Sequence, residues 1–116
     1  MKDIYDLQDD LREFAKERDW EKFHTPKNLA MALSVEVSEL SEHFMWLESM
    51  DWPSGKTGLI ADEMADVLIY LVRMADVMGI ELLPAAFDKI EKNKEKYPAD
   101  MVHGKADKYT EYDLIS

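Results

Sequence analysis

Apolar residues recur along this chain with a helical period and nowhere with the alternation of a strand. Ile4, Leu7, Leu11, Phe14 and Ala15 sit at helical spacing among Asp, Glu and Arg, which predicts an amphipathic helix from about Ile4 to Asp19. Thr25-Pro26 is a start signal, with Thr as N-cap and Pro at the first helical position. A second helix is expected from there to about Leu47 or Ser49. Projected at ~100° per residue, Leu29, Ala32, Leu33, Leu40, Phe44 and Leu47 share one side of it. A third helix, about Thr57 to Met78, carries the stripe Ile60, Met64, Val67, Leu71, Met74 and Met78 and stops at Gly79, a left-handed C-cap residue. A fourth, shorter helix runs from Leu82 to about Lys96, with Pro84 tolerated in its first turn and Pro98 as its stop. Asp51-Trp52-Pro53-Ser54-Gly55-Lys56 breaks the period between the second and third helices and reads as a loop. Residues 99–116 read as a mostly irregular tail. The expected fold is all-α, a four-helix bundle in a single domain of residues 1–116.

The third helix is apolar beyond its stripe, with Ala65, Leu68, Ile69 and Val72 on its other faces. A helix that is apolar most of the way round is buried on more than one side. Four helices in so short a chain cannot cover it, so the bundle is expected to be completed by oligomerisation, as a homodimer or homotetramer.

The acidic residues that interrupt the stripes carry the chemistry. Glu36 projects into the middle of the second helix's apolar arc, and Glu39 sits at its edge; Glu63 and Asp66 flank the stripe of the third. Each pair is spaced i, i+3, so its carboxylates are neighbours on the helix surface. Two unit charges 4 Å apart repel by about 4 kcal/mol at an effective dielectric of 20. Four carboxylates brought together therefore protonate, with raised pKa values, or hold a cation. Hard oxygen ligands suit Mg²⁺, with Mn²⁺ as a substitute. A single such pair is common on solvated helices, where it pairs with Lys or Arg. Two pairs on consecutive helices, one inside an apolar face, favour the metal reading.

Between the first two helices lie Trp20, Phe23 and His24, which either cap the core or stack on a planar ligand. Gly55-Lys56-Thr57 lacks the spacing and the preceding strand of a phosphate-binding loop.

Charge narrows the partners. The 116 residues carry 25 acidic against 14 basic side chains, a net charge of −11. Duplex nucleic acid needs a basic face, so no nucleic-acid polymer is expected as a partner. A small phosphate ligand is compatible if metal ions and a few lysines reverse the local potential. Lysines do gather late, at Lys89, Lys92, Lys94, Lys96, Lys105 and Lys108, and Lys89, Asn93 and Lys96 share a helix face. No apolar run reaches the length of a membrane span, the N-terminus is too acidic for a signal peptide, and there is no cysteine. The default expectation is the cytoplasm, away from any membrane.

With these residues in place the chain resembles the MazG-like, all-α nucleoside triphosphate pyrophosphohydrolases, above all their dCTP pyrophosphatase branch. The resemblance rests on Glu36-Val37-Ser38-Glu39 followed on the next helix by Glu63-Met64-Ala65-Asp66. It extends to Glu17-Arg18-Asp19-Trp20-Glu21-Lys22-Phe23-His24, Pro26-Lys27-Asn28-Leu29, Asp66-Val67-Leu68-Ile69-Tyr70-Leu71, Lys96-Tyr97-Pro98 and Lys108-Tyr109-Thr110-Glu111. It implies Mg²⁺-dependent hydrolysis of a nucleoside triphosphate, dCTP or a related cytidine nucleotide, to the monophosphate and pyrophosphate. Glu36, Glu39, Glu63 and Asp66 would be the catalytic metal ligands, with one acidic residue nearby as general base. Trp20, Phe23, His24 and Trp46 would enclose the base, with Tyr70 close to the nucleotide, and Lys89, Asn93, Lys96 and Lys108 would reach sugar and phosphates. Two positions depart from the pattern: Ser38 replaces a frequent Gly, and Leu11 stands where animal dCTP enzymes place a base-lining His. Losing a buried polar contact relaxes base discrimination.

Two other readings compete. A non-catalytic helical module binding nucleotides or a partner would also explain the apolar third helix. A di-iron carboxylate bundle also uses Glu on facing helices, but neither pair here is followed by the His such a site requires.

Overall fold

The computed structural model describes residues 1–48 and 52–106, and no strand occurs among them. Among the described residues five α-helices follow one another: α1 (Ile4–Glu17), α2 (Pro26–Glu42), α3 (Thr57–Val77), α4 (Leu82–Lys96) and a single turn, α5 (Ala99–Val102). The fold class is all-α, as the periodicity predicts. The chain divides into two compact units after Ile80. In the first, α3 packs against both α2 and α1.

Local chemistry sets the helix ends. Asp3 caps α1 in a reciprocal box: its side chain accepts from the Tyr5 and Asp6 amides, and Asp6 accepts from the Asp3 amide at 2.8 Å. The C-terminus of α1 closes in a Schellman turn. Trp20 N–H donates to Ala15 O at 2.9 Å and Asp19 N–H to Lys16 O at 3.1 Å, with Asp19 itself left-handed at φ 55°. α3 ends the same way, Ile80 on Ala75 and Gly79 on Asp76, with Gly79 at φ 70°. Thr25 caps α2 through the Asn28 amide at 3.1 Å, with Pro26 in the first turn.

Three features differ from the sequence expectation. α2 stops at Glu42, short of Leu47. Phe44, Met45 and Leu47 donate to carbonyls three residues back, at 3.0, 3.4 and 3.2 Å. The chain thus tightens into successive turns, and Phe44 and Leu47 leave the α2 stripe. A short helix, α5, opens the stretch expected to be irregular. The buried face of α3 is also rotated from the predicted one. Val72 and Ala75 are 4% and 6% exposed, joined in the core by Ala15 and Leu29, whereas Met64, Leu71 and Met78 stay open. α1 packs on α3, and Ala15 of α1 is fully buried.

Candidate active site

One line of α3 side chains organises the site. Glu63, Asp66, Tyr70, Arg73 and Asp76 recur at i, i+3, i+7, i+10 and i+13, so they run down one face of the helix.

At the upper end, Glu63 meets Glu36 and Glu39 of α2. Each of the three offers a carboxylate oxygen within 4.8 Å of the other two, and all are half-buried. Glu36 Oε2 and Glu63 Oε2 are buried without a hydrogen-bond partner among the described residues. Desolvation raises the Glu36 carboxyl above the ordinary range; the adjoining Glu39 carboxylate and the charges of Asp66 and Glu63 add to the shift. Glu63 is raised in the same direction by desolvation and then by Glu39, with His43 opposing. His43 Nε2 stands 3.7 Å from Glu63 Oε1, an ion pair when the imidazole is protonated. Buried anionic oxygens with no donor, on hard ligands gathered at one point, are the environment a small divalent cation satisfies. The residues present therefore fit a metal, with Glu36, Glu39 and Glu63 as its nearest holders. Asp66, expected as the fourth, is not part of that tight group. It lines the adjoining cavity, from which its charge still reaches Glu36.

That cavity, about 280 Å³, is bounded by Leu11, Phe14, Trp20, His24, Asp66, Ile69, Tyr70 and Arg73. Trp20, His24 and Tyr70 thus meet at one cavity, and Leu11 forms part of its wall. The Schellman turn aims Trp20, which packs edge-on against Phe14 with ring centroids 5.7 Å apart. The Arg18 guanidinium covers Phe14 at 3.7 Å. Phe23 and Trp46 are not brought to the cavity; they are 56% and 91% exposed. Lys89, Asn93 and Lys96 lie on α4, in the second unit. The pKa of Lys89 is lowered by contact with Lys96 and by its charge, so the two amines are close. Lys108 lies outside the described residues.

The sequence reading missed the lower end of the line. Arg73, only 9% exposed, donates from Nε to His24 Nδ1 at 3.0 Å and from Nη1 to Asp76 at 3.4 Å. Asp76 in turn accepts from Gln8 and, doubly, from Arg12. The signal was present: Arg73 and Asp76 interrupt an otherwise apolar segment in phase with Glu63 and Asp66.

The residues 31–112 match the model of the MazG-like family. The chain belongs to the MazG-like family. Among curated relatives of this MazG-like chain, dCTP pyrophosphatase 1 of Mus musculus is 42% identical over 104 residues, covering 85% of this chain and 61% of that protein. dCTP pyrophosphatase 1 of Homo sapiens is 41% identical over the same shares. The chain thus spans less than two thirds of the length of those relatives. A pyrophosphatase of known structure from Archaeoglobus fulgidus superposes with a TM-score of 0.80 at 45% identity, over 84% of this chain and 94% of that one.

Proposed function

We infer that this MazG-like chain hydrolyses a nucleoside triphosphate, dCTP or a related cytidine nucleotide, to the monophosphate and pyrophosphate, using Mg²⁺, as one functional domain. The observation that carries the reading is the juxtaposition, along one face of α3, of an underpaired carboxylate cluster and an aromatic-walled cavity. The dCTP pyrophosphatase and pyrophosphatase relatives support it.

The roles follow from position. Trp20, His24 and Tyr70 take the base in the cavity, where Trp20 supplies a flat apolar wall and the polar tips orient the ring. Glu36, Glu39 and Glu63 hold the metal, with Asp66 placed to extend the ligand set toward the nucleotide. A divalent ion held there would supply charge neutralisation for the polyphosphate and its leaving pyrophosphate and would acidify a bound water. An acidic residue of this cluster takes the proton of the attacking water. Lys89, Asn93, Lys96 and Lys108 are assigned to sugar and phosphates. Phe23 and Trp46, too open to close the cavity within one chain, are assigned to its rim once a second copy completes the bundle.

Oligomerisation is part of the same reading. Met64, Leu68 and Leu71 on α3 remain 57%, 46% and 38% exposed, and Leu83, Phe87 and Ile90 form an open stripe on α4. Unpartnered apolar faces of this extent mark association, here as a homodimer or homotetramer. No helix among the described residues is long and apolar enough to cross a membrane, and the cytoplasm is the compartment proposed.

Incubation with a panel of NTPs and dNTPs, with and without Mg²⁺, tests the function. Monophosphate and pyrophosphate should appear only with the metal. Release of single phosphates, or nucleotide binding without turnover, would replace the reading.

A further inference from the structure

His24 is the one imidazole on the cavity wall, and its protonation is dictated from behind. Arg73 is nearly buried, and its guanidinium carries a permanent charge with donors only. Its Nε–H points at His24 Nδ1 from 3.0 Å. A nitrogen that accepts this bond must present a lone pair, so the proton of the neutral ring resides on Nε2. The guanidinium has no freedom to turn away. Its Nη1 is held by Asp76 at 3.4 Å, and Asp76 is itself fixed by Gln8 and by Arg12, at 2.6 and 2.7 Å. Partial burial, and after it the charge of Arg73, also lower the His24 pKa, against a weaker opposing pull from Glu21. His24 Nε2 makes no hydrogen bond among the described residues and is not among the fully buried atoms left unpaired. It is a donor awaiting an acceptor.

We propose that Arg73 is a positioning residue that locks His24 as its neutral Nε2–H tautomer, so that the cavity presents a fixed hydrogen-bond donor to an acceptor atom on the nucleobase. The lock is a property of the free chain; its target rests on the nucleotide reading above. A fixed donor favours bases with a carbonyl oxygen or unprotonated ring nitrogen at that edge and rejects those that place an N–H there, because two facing donors leave both unsatisfied. Specificity would thus be set in part by Arg73 acting through His24.

Nitrogen NMR of the ¹⁵N-histidine-labelled chain tests the lock without catalysis. His24 should show one pyridine-like nitrogen, Nδ1, and one protonated nitrogen, Nε2. Arg73→Met should yield mixed tautomers or a protonated ring, and Arg73→Lys should restore the pattern only in part. Protonation on Nδ1, or a tautomer mixture in the unaltered chain, would overturn the proposal; if Arg73→Met fails to fold, this wild-type spectrum still decides it. Titration with dCMP then tests the target. A shift of the Nε2–H resonance on binding supports it, and binding that leaves the resonance unmoved refutes it. Where turnover is measurable, Arg73→Met should raise KM for dCTP about three- to tenfold, the loss of one hydrogen bond, while KM for the abasic deoxyribose triphosphate stays constant. An equal rise for both substrates would indicate general disruption and reject the role. If no nucleotide binds at all, the proposed function fails, and the lock stands or falls on the free-chain spectrum.

Discussion

The Arg12 guanidinium grips Asp76 with two hydrogen bonds, Nε to Oδ2 at 2.7 Å and Nη2 to Oδ1 at 2.6 Å. This clamp joins α1 to α3 at the end of the α3 line away from the carboxylate cluster, and Asp76 also holds buried Arg73. Asp76→Ala would leave that guanidinium without its carboxylate. Breaking a buried pair costs several kcal/mol, reduced here because Arg12 is half exposed, so a loss of about 2–3 kcal/mol in urea unfolding is expected.

The same carboxylate sets an acid limit. Arg12 chiefly, aided by Gln8 and Arg73 and opposed by burial, holds the Asp76 pKa below its ordinary 3.8. A lowered folded-state pKa means that the unfolded chain binds the proton more readily. Its contribution is therefore complete above about pH 3.8 and is lost as pH falls through the folded-state value. Asp76→Asn should flatten the acid limb of a stability–pH curve, measured by thermal unfolding.

Glu36→Gln separates the metal from the fold. It removes one of three mutually repelling carboxylates, so the metal-free chain should melt higher at neutral pH than the unaltered one. The Mg²⁺-induced rise in Tm should shrink or vanish. Loss even of groups that only support ligands costs 10–100-fold, so a direct ligand should cost hydrolysis about 100-fold or more. A variant that keeps its Mg²⁺ response would remove Glu36 from the ligand set.

Helix positions were legible because they need only local chemistry: Thr25-Pro26 starts α2 and Gly79 ends α3 where their preferences dictate. The meeting of Glu36, Glu39 and Glu63 was legible because Glu36 interrupts one apolar stripe and Glu63 flanks the next. The end of α2 was not, since Phe44 and Leu47 keep the helical phase while the backbone tightens beneath them. Nor was the buried face of α3. Its apolar residues surround the helix, so periodicity could not choose a side, and the choice came from packing against α1 and α2 and from the Arg12–Asp76 clamp. Both are long-range contacts that no window of sequence contains.

Asp19 offers a local test of the turn that aims Trp20. It adopts φ 55° without being glycine, and the left-handed region strains L side chains, less so for Asp than for most. Its ion pair with Lys22 at 2.8 Å is exposed and worth little. Asp19→Gly should therefore hold stability level or raise it by up to about 1 kcal/mol. Asp19→Val should lower it and blur the cavity wall, read as reduced quenching of Trp20 fluorescence by nucleotide.

The open faces of α3 give the last prediction. Leu68 is 46% exposed and Met64, one turn before it, 57%. Left in water such residues gain nothing, whereas burying one against a second copy contributes about 1.5–3 kcal/mol. In a two-fold assembly each substitution acts twice. Leu68→Glu should thus weaken a dimer by about 4 kcal/mol, roughly a thousandfold in Kd, visible as a shift toward monomer in analytical ultracentrifugation. Because the substitution faces away from the core of its own chain, helical content by circular dichroism should persist in the dissociated form. If Leu68→Glu leaves the sedimentation of an oligomer unchanged, the interface lies elsewhere, and the open stripe Leu83, Phe87 and Ile90 of α4 becomes the next face to charge.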